Sequence, residues 1–432
     1  MKFELISFSF IFLFVTSVLT QEKKSKVDLI KSLTNWATKY NITFPKIELA
    51  PANYSDPYLF PTTKYTFRAK ANISIGEPIL TIPCPMNISV DSVLPLVSKK
   101  MKKGWETLNS TTVPLYQTPY LKEQSFLALL IERSLRLEKG KFYNKFKPYL
   151  KLVDKFSNTD TYPLLLSDKE LMLIQDTLIG RDILSNKKYI IDEEKFITND
   201  MGFTPSSYQY LRNRVILDSK IQYIDNKATV LPLVEFCLHR PFPFANANIY
   251  PEQGGFINIR AMRGIKEGET IIMDTKMVSN SMNFMYYGFT MEENHMFGPN
   301  IINAFHDGYR KETSDIINWN TNNHFIDIAD ENFYNEVERI YRTVLGKDKP
   351  MKEIAETIAK NLIYYLWEYK KITPENFDKV IINKYNQKNL LKLFEEEQRM
   401  IRYRIKHYEE KYNLNLKSYN INDKDYLERS DL

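Results

Sequence analysis

Apolar residues recur at two different spacings along this chain. Between residues 119 and about 220 the spacing is helical, as in the set Phe126, Leu127, Leu130, Ile131 and Leu135. The polar side of this helix is predicted to carry Glu132, Arg133 and Arg136. Short β-like runs broken by Pro and Gly occupy residues 27 to about 118, and strands are predicted again from about 229 to 292. The pattern therefore predicts an α+β fold in which a helical segment separates two strand-rich segments.

The C-terminal part of the chain is helical and charged. From Phe333 onward, three periodic runs predict helices: NEVERIYRTVL, EIAETIAKNLIYYLWEY and LLKLFEEEQRMIRYRIKHYEEKY. Thr373-Pro374-Glu375 has the pattern of an N-cap followed by proline at the first helical position. Helices of this length need mutual packing to be stable, so the pattern predicts an all-α C-terminal bundle.

The N-terminus has the pattern of a secretory signal peptide. A lysine near the start precedes an apolar segment from Ile6 to Leu19, and polar residues follow from Gln21. This segment of about 14 residues is shorter than the roughly 20 needed to span a bilayer. Residues 1–20 are therefore predicted to be a cleaved signal, with an uncleaved signal anchor as the alternative. The mature chain is expected in the secretory pathway, lumenal or secreted, without membrane attachment.

Five N-glycosylation sequons fit this compartment and lie before residue 112; their acceptors are Asn41, Asn53, Asn72, Asn87 and Asn109. An Asn-rich chain forms such triplets by chance, so their clustering is better evidence than their number. Asn72 and Asn87 fall within predicted strands, where a glycan would be tolerated only on an exposed face.

Composition and charge narrow the choice of partners. Apolar residues make up 43% of the chain and charged residues 26%, as in ordinary globular proteins, and the net charge is +6. Two lysine-rich runs, 99–103 and 139–147, could bind acidic partners or form solvated faces. No nucleic-acid-binding signature is found. Cys84 and Cys237 allow one disulfide, and no Cys or His cluster has metal-ligand spacing, so no metal is predicted.

Five short motifs in the same order resemble the SET-domain methyltransferases. Pro232-Leu233, His239, Gly268-Glu269, Ser279-Asn280 and Tyr287-Gly288-Phe289 fall in register with the branch that includes the Rubisco large-subunit lysine and the actin-histidine methyltransferases. Residues 71–89, with Gly76-Glu77, resemble the opening strand pair of that branch. The resemblance implies a SET domain at 21–309 with a helical insert at about 119–220. Residues 310–432 would form a helical domain like the family's substrate-binding domain.

The same resemblance assigns site residues, and several depart from the family pattern. The positions implied for S-adenosylmethionine (SAM) binding are Thr66, Phe67, Glu235, Leu238 and His239. Leu238 stands where the family has an asparagine and offers no side-chain donor or acceptor. The family's Gly-x-Gly turn falls at Lys64-Tyr65-Thr66, where large side chains replace the glycines.

The implied catalytic positions are Tyr287 and Thr275. Thr275 stands where the family has the tyrosine that lines the lysine channel, and threonine is too short to replace a phenol. Tyr287 could also be a core aromatic residue, and His239 could be a structural histidine held by a backbone carbonyl.

Two functions therefore remain open. The first is a SAM-dependent protein methyltransferase acting on a lysine or histidine of a protein substrate. The second is a catalytically inactive SET-fold module of the secretory pathway that binds a protein or peptide. Methyl transfer needs an aligned methyl donor and a channel that excludes water, and the departures weaken both.

Overall fold

The computed structural model describes residues 28–52, 64–112, 119–157, 159–240, 244–251, 254–274, 279–291, 349–381 and 383–416. The chain divides into two compact units, Met1–Asn158 with Glu193–Thr275, and Thr159–Asp192 with Lys276–Leu432. The predicted signal peptide and the predicted domain boundary near residue 310 lie outside the described residues. Among the described helices, none is long and apolar enough to cross a bilayer.

The helices in chain order are α1 (28–39), α2 (Val90–Val93), α3 (Lys99–Ser110), α4 (Pro119–Leu137), α5 (Lys141–Phe156), α6 (Asp168–Ile174), α7 (Leu178–Asn199), α8 (Ser207–Asp218), α9 (Asn280–Tyr287), α10 (Met351–Lys370), α11 (Pro374–Val380) and α12 (Lys384–Tyr412). The strands are β1 (Ile47–Pro51), β2 (Tyr65–Ala69), β3 (Pro78–Pro83), β4 (Ile221–Ile224), β5 (Lys227–Val230), β6 (Leu238–Arg240), β7 (Ala247–Pro251), β8 (Phe256–Ala261) and β9 (Ile272–Asp274). Strands and helices together confirm the predicted α+β class and the helical C-terminal region.

The first unit contains a mixed sheet of five strands in the order β3-β8-β7-β9-β6. β8 pairs antiparallel with β3 and β7, whereas β9 pairs parallel with β7 and β6. Two antiparallel pairs accompany it, β1-β2 and β4-β5. The β4-β5 hairpin turns at Asp225 and Asn226, both with positive φ, as the tight turns between twisted strands require.

The two Gly-Glu turns predicted from the sequence form and pair with each other. Gly76 and Gly268 have φ of 76° and 86°, a region that favours glycine. The carboxylates of Glu77 and Glu269 each accept a hydrogen bond from the backbone amide three residues earlier, at 2.9 and 3.2 Å. An antiparallel bridge between Ile73 and Ile265 joins the two segments. The motifs are therefore equivalent turns on neighbouring segments of the first unit.

The predicted helix at 119–137 forms as α4, and one of its predicted polar residues is buried. Phe126 and Leu127 are fully buried. Glu132 was predicted on the polar side, but it is only 1% exposed. Its carboxylate lies 2.7 Å from the guanidinium of Arg136 and accepts a bond from the Ser206 amide. Pairing makes burial of this carboxylate tolerable, and residue spacing along one helix does not encode it.

The second unit contains the C-terminal helices, which pack through aromatic residues. The ring of Phe394 on α12 lies edge-on to Tyr369 of α10, at 5.6 Å, and to Phe377 of α11, at 6.0 Å. The buried Tyr369 hydroxyl donates to Glu397. Thr373 is the N-cap of α11, its side chain accepts from the Asn376 amide, and Pro374 is the first helical residue, as predicted.

Three parts of the secondary-structure prediction are wrong. Residues 28–39 and Lys99–Ser110 are helical where β-like runs were expected. Asn280–Tyr287 is helical within the range assigned to strands. Residues 71–89 hold one strand, β3, instead of a strand pair. In α1 the buried residues Leu33, Trp36 and Ala37 recur at helical spacing, a signal that short-range Pro and Gly counting missed.

Candidate functional site

Four of the five positions implied for SAM binding lie on two strands of the first unit, which a third segment joins. The amide of Ile271 donates to the carbonyl of Phe67 at 2.9 Å, and the amide of Leu238 donates to the carbonyl of Ile271 at 2.9 Å. Ile271 thus holds β2, which carries Thr66 and Phe67, beside β6, which carries Leu238 and His239. The structure brings together residues that are about 170 positions apart in the sequence.

The fifth position, Glu235, is carried into the interior by a short turn. Leu233 has φ of 79°, an uncommon conformation for a bulky residue, and a 3-10 turn follows at Val234–Phe236. Glu235 is 3% exposed as a result. The neighbouring Phe236 ring lies edge-on to that of Phe67, 6.0 Å away. The turn therefore fixes a carboxylate close to the strands just described.

Glu235 belongs to a buried polar cluster that sequence reasoning missed. Lys220, after α8, and Tyr149, in α5, are 7% and 2% exposed. Burial raises the pKa of Glu235 to about 7, against the opposing charge of Lys220. Burial lowers the pKa of the Lys220 ammonium, which the Glu235 charge partly offsets. The only sequence signal was a lysine shortly after the apolar run 215–217 at the end of α8, which by itself predicts an exposed side chain.

The carboxylate of Glu235 is incompletely satisfied. The Tyr149 phenol interacts with it, and burial, then Glu235, raises the pKa of that phenol. Neither carboxylate oxygen has a hydrogen bond of good geometry to the described residues, and neither does the hydroxyl of Thr66, which is 1% exposed. Buried polar atoms without partners are uncommon in folded proteins and call for an explanation.

Burial keeps the side chains of His239 and Cys237 uncharged at physiological pH. His239 is half-buried, and burial together with the charge of Lys220 lowers its pKa to about 4, so the imidazole is neutral at physiological pH. Burial raises the pKa of the Cys237 thiol, which disfavours a reactive thiolate. Cys84 and Cys237 are both free, so the disulfide considered from the sequence does not form.

The residues at the cofactor positions fit SAM poorly in two places. Where the family has its glycine turn, Lys64 donates to the Phe156 carbonyl at 2.9 Å and accepts from the Ala52 amide at 3.1 Å. The Tyr65 ring packs on the Phe156 ring at 4.5 Å, and Thr66 is paired with Ala50 of β1. This backbone is engaged in a strand pair where a cofactor would need close approach.

The second poor fit is at Leu238. Its side chain has no polar atom, and its amide already donates to Ile271. A separate cavity of about 30 Å³ beside Tyr149 and Lys220, lined by none of the cofactor positions, has room for one or two water molecules. Arrangements of Asp, Glu, His and Cys that could hold a metal ion are absent from the described residues.

Neither of the two implied catalytic residues belongs to the part of the first unit that the structure describes. Thr275 lies outside the described residues. Tyr287 ends α9 in the second unit, is half-buried, and lies 6.1 Å from the Phe289 ring. The preceding Ser279-Asn280 motif has a structural role: Ser279 caps α9, and the buried Asn280 amide bonds both ways with the Met291 backbone, at 2.8 and 2.7 Å.

The sequons differ in accessibility. Asn41, Asn72 and Asn109 are exposed, Asn87 is half-buried with its side-chain oxygen buried, and Asn53 lies outside the described residues. Asn72 and Asn87 lie outside the strands, contrary to the prediction. The Asn72 side chain accepts a bond from the Glu267 amide at 3.0 Å.

Comparison with known proteins identifies the fold. No protein-family model and no curated protein matches this chain. The crystal structure of the SET domain of LSMT bound to lysine and AdoHcy is similar, with 14% sequence identity, a TM-score of 0.60, and coverage of 89% of this chain and 92% of that chain. LSMT bound to AdoMet gives a TM-score of 0.61 at the same identity and coverage. The structure of Rubisco LSMT bound to sinefungin and monomethyllysine gives 0.60.

These similarities define the class: the chain has the α+β fold of a SET domain with a helical C-terminal region. The similarity includes nearly the full length of both chains. At 14% identity it shows the fold alone.

Proposed function

We propose that this chain is a SET-fold protein that does not transfer methyl groups and instead binds a protein segment. The observation that carries the proposal is the strand pair at Lys64–Thr66. Its backbone groups bond to Phe156 and Ala52 where an active relative would need an unobstructed turn. Leu238 adds a second loss, because the asparagine side chain expected there is missing.

Loss of positioning matters more here than loss of any single group. Methyl transfer draws most of its rate from holding the nucleophile and the methyl carbon in line. If SAM is bound neither at the Lys64–Thr66 position nor by the side chain at Leu238, its methyl carbon cannot be held in line with the nucleophile. Thr275, in place of the family's phenol, removes a further contact to the transferring group.

The binding part of the proposal is supported by an exposed aromatic face on α10. Tyr364 and Trp367, three residues apart on the same side of the helix, are 52% and 45% exposed. Aromatic side chains are enriched at the centres of protein interfaces. Lys360 and Lys371 lie on the same face and are paired with Glu356 and Glu368, which favours a partner with apolar side chains over a strongly acidic one.

The unpaired buried atoms near β6 favour a second candidate, a SAM-dependent protein-lysine or histidine methyltransferase. The Thr66 hydroxyl and both oxygens of the Glu235 carboxylate make no hydrogen bond of good geometry to the described residues, and a bound ligand would supply one. In this case Thr66, Phe67, Glu235, Leu238 and His239 would line the cofactor site. Tyr287 would take over part of the role of the missing phenol.

SAM binding to the purified mature chain, measured by calorimetry and thermal unfolding, separates the two candidates. We expect no heat and no stabilisation at millimolar SAM. If SAM binds, saturation at about 100 times the dissociation constant adds about 2.7 kcal/mol of stability, and the non-catalytic proposal is wrong. Glu235→Gln should then weaken binding, whereas the exposed Glu267→Gln, its matched control, should not.

The binding face has its own test, independent of SAM. Tyr364→Ala with Trp367→Ala should abolish binding of a protein partner while leaving the unfolding temperature nearly unchanged, because both rings are exposed. Tyr223→Ala, another exposed aromatic residue located in β4, is the control. Equal binding by both variants would exclude this face.

A secretory location is part of the proposal. It is supported by the N-terminal pattern and the clustered sequons, of which Asn41, Asn72 and Asn109 have exposed acceptors. Expression in a secreting cell should give a chain that lacks residues 1–20 and loses mass on treatment with an N-glycosidase. A chain with an intact N-terminus and no mass loss would contradict it.

A further inference from the structure

A cavity of about 310 Å³ lies in the first unit, where the start of α3, the end of α4 and the start of α5 meet. Its volume is at the lower end of the range for small-ligand sites. None of its lining residues is among the cofactor or catalytic positions discussed above. The cavity and the SET-type site therefore share no residues.

Two cations line the cavity. Arg133 and Lys139 belong to the lining, and no Asp or Glu of the described chain does. Neither cation has a carboxylate within ion-pair distance among the described residues; Arg133 only stacks over the Phe203 ring, at 5.4 Å. Glu138, next to Lys139, is paired elsewhere, with Lys151 at 3.1 Å. The cavity is thus positively charged, because no acidic residue of the described lining neutralises the two cations.

Two helices begin at the same cavity. Ser98, the N-cap of α3, and Gly140, the N-cap of α5, both line it. At the start of α3 the Ser98 side chain accepts from the Met101 amide, whereas Gly140 has no side chain to cap α5, so the first amides of α5 lack a side-chain acceptor. Helix N-termini carry partial positive charge and bind anions through these amides.

A largely buried serine faces the cavity and provides a further, independent observation. Ser134 lines the cavity and is only 6% exposed, yet its hydroxyl makes no hydrogen bond to any described residue. The hydroxyl is not among the buried atoms that lack a partner, so it is open to the cavity, and a ligand there can accept its hydrogen bond. The rest of the lining is mainly apolar and includes Leu96, Met101, Leu130 and Phe142.

We propose that this cavity binds a small organic anion, with its carboxylate between Arg133, Lys139 and the two helix starts, and its short aliphatic body on the apolar floor. The Ser134 hydroxyl donates to the same carboxylate. Such a site lies in the helical segment of the fold and is independent of SAM binding.

The test is titration of the full mature chain with octanoate, octanamide and inorganic phosphate, followed by calorimetry. We expect octanoate to bind at least about tenfold more tightly than octanamide, because charge-assisted hydrogen bonds contribute about 1.5 kcal/mol or more. Octanoate should also bind more tightly than phosphate, which has no apolar body. Equal affinities for octanoate and octanamide would overturn the anion assignment, and no octanoate binding at millimolar concentration would overturn the site.

Substitutions of lining residues test whether octanoate binds in this cavity. Lys139 is exposed, so Lys139→Met should fold normally and weaken octanoate binding about tenfold, while its matched control Lys102→Met, an exposed lysine of α3 outside the cavity, should not. Ser134→Ala should weaken it less. Undiminished binding by both Lys139→Met and Ser134→Ala would place octanoate elsewhere and refute the proposal.

Discussion

Glu235 and His239 should give opposite pH dependences of stability that largely cancel in the intact protein. The pKa of Glu235 is raised to about 7 in the folded state, from an ordinary 4.5. Its contribution to stability is therefore fully present below pH 4.5 and is lost as the pH rises towards 7. The pKa of His239 is lowered to about 4 from 6.5, so its contribution is present above pH 6.5 and lost as the pH falls towards 4.

The size of each effect follows from the pKa values. At about 1.36 kcal/mol per pKa unit, burial of Glu235 corresponds to a change of about 3 kcal/mol between pH 4.5 and 7. His239 contributes at most a similar amount with the opposite sign, reduced by solvent because its ring is half-buried. In a variant that lacks one of the two residues, the free energy of unfolding should therefore show the pH dependence that the other residue causes.

The assay is urea unfolding of the wild type, Glu235→Gln and His239→Gln at pH values from 4 to 7.5. Relative to the wild type, Glu235→Gln should gain stability on going from pH 4.5 to 7, by about 3 kcal/mol. His239→Gln should lose stability over the same range. Buried Trp36 in the first unit provides a fluorescence signal local to this cluster. If both variants keep the pH profile of the wild type, the assignment of perturbed pKa values to these two groups is wrong.

Other predictions concern backbone geometry, capping and packing. Gly288→Ala should destabilise by about 1–3 kcal/mol or more, because φ is +72° and a Cβ would lie 2.6 Å from the Thr161 carbonyl, while Gly264→Ala, with open space, should be nearly neutral in urea unfolding. Thr373→Ala should cost about 1 kcal/mol through loss of the α11 cap, and Thr373→Ser should restore most of it. Phe126→Ala should cost about 3–5 kcal/mol, because the ring is fully buried; a loss below about 1 kcal/mol would contradict its place in the core.

The assignment of a cofactor site to these residues stays a prediction, and the chemistry of the site could not be predicted at all. The motifs assigned Thr66, Phe67, Leu238 and His239 to one site, and the structure carries these residues on neighbouring segments joined through Ile271. The burial of Lys220 and Tyr149 near Glu235 was not predictable, because each residue type is usually exposed or structural in isolation. The pKa values of Glu235 and His239 depend on that burial and so could not be predicted either.

The sequence by itself determined the local elements of this protein. Apolar spacing specified α4, α10 and α12, and two Gly-Glu pairs specified turns in which only glycine adopts a positive φ without strain. Thr373-Pro374 specified a helix start. These features depend on interactions within a few residues. The tertiary structure alone decided which residues meet across long separations, including Glu235 with Lys220 and Tyr149, and the two helix starts at the cationic cavity. Burial and charge are set by such distant neighbours, and no local pattern encodes them.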